Sequence, residues 1–349
     1  MLRQKITPTE ATEVRELFKA CKNVVICTHT SPDGDAIGSS LALAEYFKRK
    51  GKNATIIVPN YFPDFLKWMN GADHIMLYDR QRGLANSFIG MADLICCLDF
   101  NSLSRIDELG DAVAHSRAKK LMIDHHLSPD KFCDVTISRP EASSTCELLF
   151  RVLDAIGATQ HINLHCAEDI YAGMCTDTGG FTYNSNDPDI FLIISELMRK
   201  GIDKDLIYRK IYNNYTVDRY RLMGYILYEK LEVFPETHSS VFCMTKEELK
   251  RFHYLKGDAE GIVNMPLSIK GQKLSISLRE DTEKPIVWVS LRSVDDFPCN
   301  RMAEDFFNGG GHLNAAGGRL SCSINEAAEI AKQAIEAYRD KLCNAQPES

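Results

Sequence analysis

Leu121-Met122-Ile123-Asp124-His125-His126 decides how this chain is read. Three apolar residues run directly into an acid and two adjacent imidazoles. A short apolar run of this kind predicts a strand buried in a parallel sheet. Ligands of open α/β sheets collect beyond the carboxyl ends of such strands. Asp124, His125 and His126 are therefore expected at the rim of a sheet, facing a crevice. Alone, the same residues are equally well a cap on a strand end. Two strand-like runs upstream end in the same way, and that shifts the reading toward a site.

The first of these runs, Asn23 to Thr28, leads into His29-Thr30-Ser31-Pro32-Asp33-Gly34-Asp35-Ala36-Ile37-Gly38-Ser39-Ser40. Pro32 and Gly34 mark a tight loop, and a helix is expected from about Ser39 to Lys50, stopped by Gly51. The other, Asp93 to Leu98, ends at Asp99. Further strands are expected at Ala54 to Val58 and Cys133 to Ile137. Residues 8–20 predict an opening helix capped by Thr9. Ser144-Thr145-Cys146-Glu147 reads as a capping box opening a helix toward Ile156. A helix from about Asn163 to Cys175 then delivers Asp177. Strands alternating with helices imply a mostly parallel sheet with right-handed crossovers.

After Pro188 a helical stretch runs to about Leu231, and from about Ser239 the pattern becomes mixed. The expected fold class is α/β: a parallel-sheet N-terminal domain over 1–187, a helical connector over 188–234 and a smaller mixed α/β C-terminal domain over 235–345. The last carries Gly309-Gly310-Gly311-His312 and Ala315-Ala316-Gly317-Gly318. Consecutive glycines let backbone N–H groups approach a phosphate or base, although by themselves they are more simply a flexible turn. Arg292, just after a strand, adds a cationic fork suited to phosphate.

The 349 residues are 44% hydrophobic, enough for two packed cores, and the net charge is −7. A protein that grips long nucleic acid by its backbone normally shows a basic face; this composition argues against a long duplex and admits a short phosphorylated ligand. No apolar run is long enough for a membrane span, and the N-terminus lacks the apolar region of a signal peptide. The 12 cysteines form no CxxC pair, and several lie in apolar runs. Free buried thiols in a reducing cytoplasm are the simpler reading.

Three predicted strand ends thus carry potential metal ligands: His29 with Asp33 and Asp35, then Asp99, then Asp124 with His125 and His126. Asp177 could fold back over them. Carboxylate plus imidazole without thiolate favours Mn²⁺, with Mg²⁺ and Co²⁺ also suited, over a structural zinc site. The supply suffices for two ions, which need a bridging carboxylate.

These segments, in this order, resemble the four successive motifs of the DHH phosphoesterase superfamily. Ser290-Leu291-Arg292-Ser293 and the glycine-rich segment resemble its associated C-terminal domain. Size and layout are similar to the bacterial nanoRNase and pAp phosphatase group, whose members are also labelled exopolyphosphatase-related. The resemblance implies that His29, Asp33 and Asp99 hold one Mn²⁺, and that Asp35, Asp99, His125 and Asp177 hold a second. Asp99 then bridges them, Asp124 orients a histidine of the metal site, and His126 contacts the scissile phosphate. Arg292, Gly310, Gly311 and His312 bind the substrate's phosphate or terminal nucleotide. It also implies a homodimer.

The expected activity is hydrolysis of short 5′-phosphorylated oligoribonucleotides to mononucleotides, or of pAp to AMP and phosphate, by in-line attack of a hydroxide bridging the metals. The alternatives are a poly- or pyrophosphatase, for which Arg292, Arg301 and Arg319 supply cations, and a cyclic dinucleotide phosphodiesterase. A nucleotide-binding sensor is the non-enzymatic alternative.

Overall fold

The computed structural model describes residues 2–255, 257–259 and 261–343. It divides into two compact units, Met1–Asn214 and Tyr215–Ser349. The boundary falls inside the segment expected as a connector. Helices α7 (Pro188–Arg199) and α8 (Lys204–Tyr212) belong to the first unit, and α9 (Val217–Tyr225) belongs to the second.

The first unit is built on strands β1 (Asn23–Cys27), β2 (Asn53–Val58), β3 (Met76–Leu77), β4 (Leu94–Leu98), β5 (Lys119–Asp124) and β6 (Val135–Ser138). They form one sheet in the order β3-β2-β1-β4-β5-β6, and every pair is parallel. Helices cover both faces, as an all-parallel sheet requires. α1 (Pro8–Ala20), α2 (Gly34–Arg49), α5 (Thr145–Ala155) and α6 (Leu164–Asp177) pack on one face, against Ile26, Cys96, Leu121 and Ile123. α3 (Tyr78–Met91) and α4 (Leu109–His115) pack on the other, against Val25, Cys27, Ile95 and Met122. The chain leaves β1 toward one edge and β4 toward the other, so the topological switch point lies between β1 and β4, where ligand crevices form in such sheets.

Local differences from the sequence expectation have simple causes. Thr7, not Thr9, caps α1; its hydroxyl accepts from Glu10 N while the Glu10 carboxylate accepts from Thr7 N. α2 starts at Gly34 rather than near Ser39, because Asp33 is itself the N-cap and accepts from the amides of Asp35 and Ala36. The Ser144 box is half formed: Ser144 Oγ accepts from Glu147 N, while the Glu147 carboxylate turns to Ser143, Lys5 and Arg151. All 12 cysteines are free thiols.

The second unit holds a mixed sheet of β7 (Glu232–Phe234), β8 (Ser239–Met244), β9 (Leu274–Glu280), β10 (Val287–Ser293), β11 (Gly310–His312) and β12 (Ala315–Leu320). Its order is β11-β12-β10-β9-β8-β7. The glycine-rich segment is therefore a strand pair at the sheet edge and not a flexible turn. One face of the sheet packs on α11 (Cys299–Phe306) and α12 (Ile324–Ala337) through Ile276, Val289, Met302 and Ala331. On the other face, Phe242 and Met244 of β8 pack with Leu222, with Leu249 of α10 (Lys246–Arg251) and with Ile262. Among the described residues no helix is long and apolar enough to cross a membrane.

Candidate metal centre

The four motifs converge at the switch point of the first sheet. His29 follows β1, Asp99 follows β4, and His125 and His126 follow β5. α2 carries Asp35 in its first turn with Asp33 as its cap, and α6 ends on Asp177. His29 Nε2 lies 3.3 Å from Asp99 Oδ2 and 3.9 Å from Asp33 Oδ1. His125 Nε2 lies 3.2 Å from Asp177 Oδ2, 3.5 Å from Asp99 Oδ1 and 3.9 Å from Asp35 Oδ2. Donors about 2.1 Å from an octahedral ion sit about 3 Å apart, so each group is close to the size of a coordination shell. The two oxygens of Asp99 point to different groups, Oδ2 to the first and Oδ1 to the second.

The donors are held in place by what surrounds them. The His29 Nδ1–H donates to the Thr30 carbonyl at 2.9 Å, and the His125 Nδ1–H to the Ala142 carbonyl at 3.2 Å. Both rings therefore present Nε2 to the carboxylates, the arrangement typical of metal-binding histidines. Asp99 adopts a left-handed backbone (φ 62°), an uncommon state that concentrates at functional sites. Asp35 accepts from the amides of Thr145 and Cys146 at 2.6 and 2.8 Å, at the N-terminus of α5, where the helix dipole favours negative charge. The Thr145 hydroxyl donates to Asp99 Oδ1 at 2.9 Å.

These contacts of Thr145 and Cys146 were not anticipated. The capping box located the start of α5, and nothing in its pattern says that the same helix end backs a carboxylate 110 residues away in sequence. Asp124 is fully buried and holds His126: its Oδ1 accepts from Nδ1 at 2.7 Å and its Oδ2 from the His126 amide at 3.1 Å. It therefore orients the second histidine of the pair and not the His125 ring that faces the carboxylates.

Burial, then the charge of Asp99, pushes Asp35 up to about 7. Burial together with Asp35, Asp33 and Asp99 pushes Asp177 well above the carboxylate range. Burial disfavours a charged His29, but its hydrogen bond to Asp99 and the charges of Asp33 and Asp99 outweigh this and hold it at about 9. Burial also opposes the Asp99 carboxylate, which His29, His126 and His125 nevertheless hold below its usual range. Four carboxylates crowd two Nε2 atoms, so the site concentrates negative charge. Divalent cations held here would offset that negative charge, and an oxygen and nitrogen donor set without sulfur suits Mn²⁺, Mg²⁺ or Co²⁺.

In the second unit Arg292, Ala315 and His312 are directly paired across β10, β12 and β11, and Ser290, Gly317 and Gly310 form the next row. Directly paired residues share a face, so Arg292, His312 and Gly310 look out from one side of the sheet. Gly311 has φ 146°, and a Cβ there would lie 2.5 Å from the Ala315 carbonyl, so only glycine fits. Arg301 is exposed on the outer side of α11 and pairs with Glu304 at 2.7 Å.

A doubly wound sheet with this carboxylate-imidazole centre at its switch point defines a DHH-type phosphoesterase fold, and the chain belongs to the DHH family: the DHH N-terminal domain matches residues 23–174 and the DHHA1 domain residues 245–339. The crystal structure of an exopolyphosphatase-related protein from Bacteroides fragilis is 53% identical, covers 98% of this chain and 99% of its own, and superposes with a TM-score of 0.95. The bifunctional oligoribonuclease and PAP phosphatase NrnA of Thermus thermophilus is 28% identical over 334 residues, 95% of this chain and 94% of its own length. The cyclic-di-AMP phosphodiesterase PdeA of Listeria monocytogenes is 26% identical over 338 residues, 93% of this chain but 49% of its own length.

Proposed function

We propose that this protein hydrolyses short 5′-phosphorylated oligoribonucleotides to mononucleotides, and pAp to AMP and phosphate, with two divalent ions, Mn²⁺ foremost. The observation that carries this reading is Asp99, whose two oxygens face two separate histidine-carboxylate groups. Similarity to an oligoribonuclease and PAP phosphatase over nearly the full length of both chains supports the substrate class.

In this reading His29, Asp33 and Asp99 hold one ion, and Asp35, Asp99, His125 and Asp177 hold the other. Such a pair, when bound, activates water near neutral pH and neutralises phosphate oxygens during in-line displacement. The chain's own residues do the rest. Asp99 fixes the spacing of the two groups, and the α5 amides keep Asp35 aimed. Asp124 holds His126 by Nδ1 so that the ring stays in one orientation toward the phosphate. Arg292 and His312, with the backbone of Gly310 and Gly311, grip the phosphate or terminal nucleotide. The net charge of −7 suits a short substrate over a long duplex, and 12 free thiols suit a reducing cytoplasm.

The test is product analysis with Mn²⁺, run separately on a 5′-phosphorylated RNA dinucleotide, pAp, a cyclic dinucleotide and polyphosphate. Mononucleotide release from the dinucleotide, with or without phosphate release from pAp, is the expected result. Turnover of polyphosphate or of the cyclic dinucleotide alone would overturn the substrate assignment and keep the metal chemistry.

A further inference from the structure

The outward face of the second unit's sheet carries one more row than the substrate grip uses. Two residues beyond Ser290 along β10, Trp288 is paired directly with Arg279 on β9 and Arg319 on β12. The parity of the strands places this row on the same face as Arg292 and His312, because Val287, Val289 and Leu291 point into the core. Between the two rows, β10, β12 and β11 carry only the small residues Ser290, Gly317 and Gly310, whereas Ser277 of β9 and Phe242 of β8 in the same row are buried. At about 3.4 Å per residue, Trp288 stands about 13 Å along the strand from Arg292.

Trp288 is 37% exposed, unusual for a large aromatic ring that could have been buried. It is also held still. Its indole N–H donates to Asp281 Oδ2 at 2.7 Å, while Asp281 Oδ1 accepts the amides of Glu283 and Lys284 at 2.8 Å each. The Arg279 guanidinium stacks over the Tyr254 ring at 5.5 Å. Among the described residues, no ion pair engages Arg279, Arg292 or Arg319 with a carboxylate within 4 Å. In a chain with seven more acids than bases, three such arginines on one sheet face are complementary to a polyanion.

A rigid exposed ring flanked by two cations is how sheet surfaces bind single-stranded nucleic acid. Bases stack on the aromatic, and arginines meet the backbone or add cation–π attraction. We propose that Trp288, flanked by Arg279 and Arg319, is a stacking subsite for a nucleotide further along the oligonucleotide than the one held at Arg292 and His312. It raises the efficiency of substrates longer than a dinucleotide. The inference rests on the oligonucleotide reading of the function, and it is indifferent to base identity because every base offers a π face.

Two measurements separate the subsite from that reading. The first is tryptophan fluorescence in EDTA, in a Trp68→Phe background so that Trp288 is the sole indole, titrated with 5′-phosphorylated penta-adenylate. Saturable quenching that Arg319→Ala weakens is expected. The second is kcat/KM for 5′-phosphorylated RNAs of two to five nucleotides. Trp288→Ala should lower the value for tetra- and pentanucleotides by about 5- to 100-fold and leave the dinucleotide within about twofold. Trp288→Phe should restore most of the loss. Quenching without any oligonucleotide cleavage would support the subsite and overturn the proposed function. Cleavage with no quenching, or with equal losses at every length, would overturn the subsite.

Discussion

Gly38 tests whether the close approach of α2 and α6 builds the metal centre. α2 carries Asp33 and Asp35, and α6 carries Asp177. A Cβ on Gly38 would lie 2.6 Å from the Asp169 carbonyl oxygen and 3.2 Å from both Cys146 Sγ and Gly173 N. A relaxed C···O contact needs about 3.3 Å, so Gly38→Ala asks two helix backbones to part by about 0.7 Å. Alanine in place of glycine favours the helix by about 1 kcal/mol. Overpacking a tight core costs about 1–3 kcal/mol, and a helix backbone cannot rotate away as a side chain can. Two backbones in contact put the cost at the upper end, about 2–3 kcal/mol, so the net loss should be about 1–2 kcal/mol, or about 2–8 °C in Tm for a unit of this size. Metal sites tolerate about 0.2 Å, so the Mn²⁺ concentration for half-maximal activity should rise about tenfold or more. Gly83 is the internal control, because nothing lies within 4 Å of a Cβ there; Gly83→Ala on α3 should raise Tm slightly and leave Mn²⁺ dependence unchanged. If Gly38→Ala behaved like Gly83→Ala in both assays, the tight α2–α6 contact would not be what positions the ligands.

Three further outcomes follow from the same geometry. Asp169 is 1% exposed, both its carboxyl oxygens lack a hydrogen-bond partner among the described residues, and burial drives its pKa far upward. It therefore keeps its proton to higher pH in the fold than in the unfolded chain, where it ionises above about pH 4. Wild-type stability should fall relative to Asp169→Asn as pH rises above about 4, by up to about 1.4 kcal/mol per pH unit; parallel urea midpoints from pH 4.5 to 6.5 would refute this. Asp124→Asn should lower kcat by about 100-fold with Mn²⁺ binding little changed, because it disturbs the orientation of His126 and no ligand; equal losses in both would place Asp124 in the metal site itself. Mn²⁺ must displace protons from Asp35 near 7 and His29 near 9, so apparent Mn²⁺ affinity by calorimetry should rise steeply from pH 6 to 8, and a flat profile would contradict the electrostatics.

The centre was legible in the sequence because the chemistry sits at strand ends. Apolar runs closing on Asp99 and on Asp124-His125-His126 place the ligands at one sheet rim whatever the details of the helices. Capping chemistry was less legible. Asp33 is both a proposed ligand and the N-cap of α2, so reading it as a ligand in a loop and not as a cap set the expected helix start five positions late. The contribution of α5 was hidden because its donors are backbone amides, which no residue type announces. The glycine-rich strands were missed because β-propensity is lowest where Gly is abundant; the pairing partner in β10, not the local sequence, makes them strands. The row of Trp288 was invisible until register was known, since its arginines lie on strands separated in sequence.

The most direct test of the account is a crystal grown with Mn²⁺ and measured at the manganese absorption edge. Two anomalous peaks are expected on either side of Asp99, one against His29 and Asp33, the other against Asp35, His125 and Asp177, with both lost or displaced in Asp99→Ala. A single peak, or two peaks that persist unchanged without the Asp99 carboxylate, would contradict the bridging role on which the proposed chemistry depends.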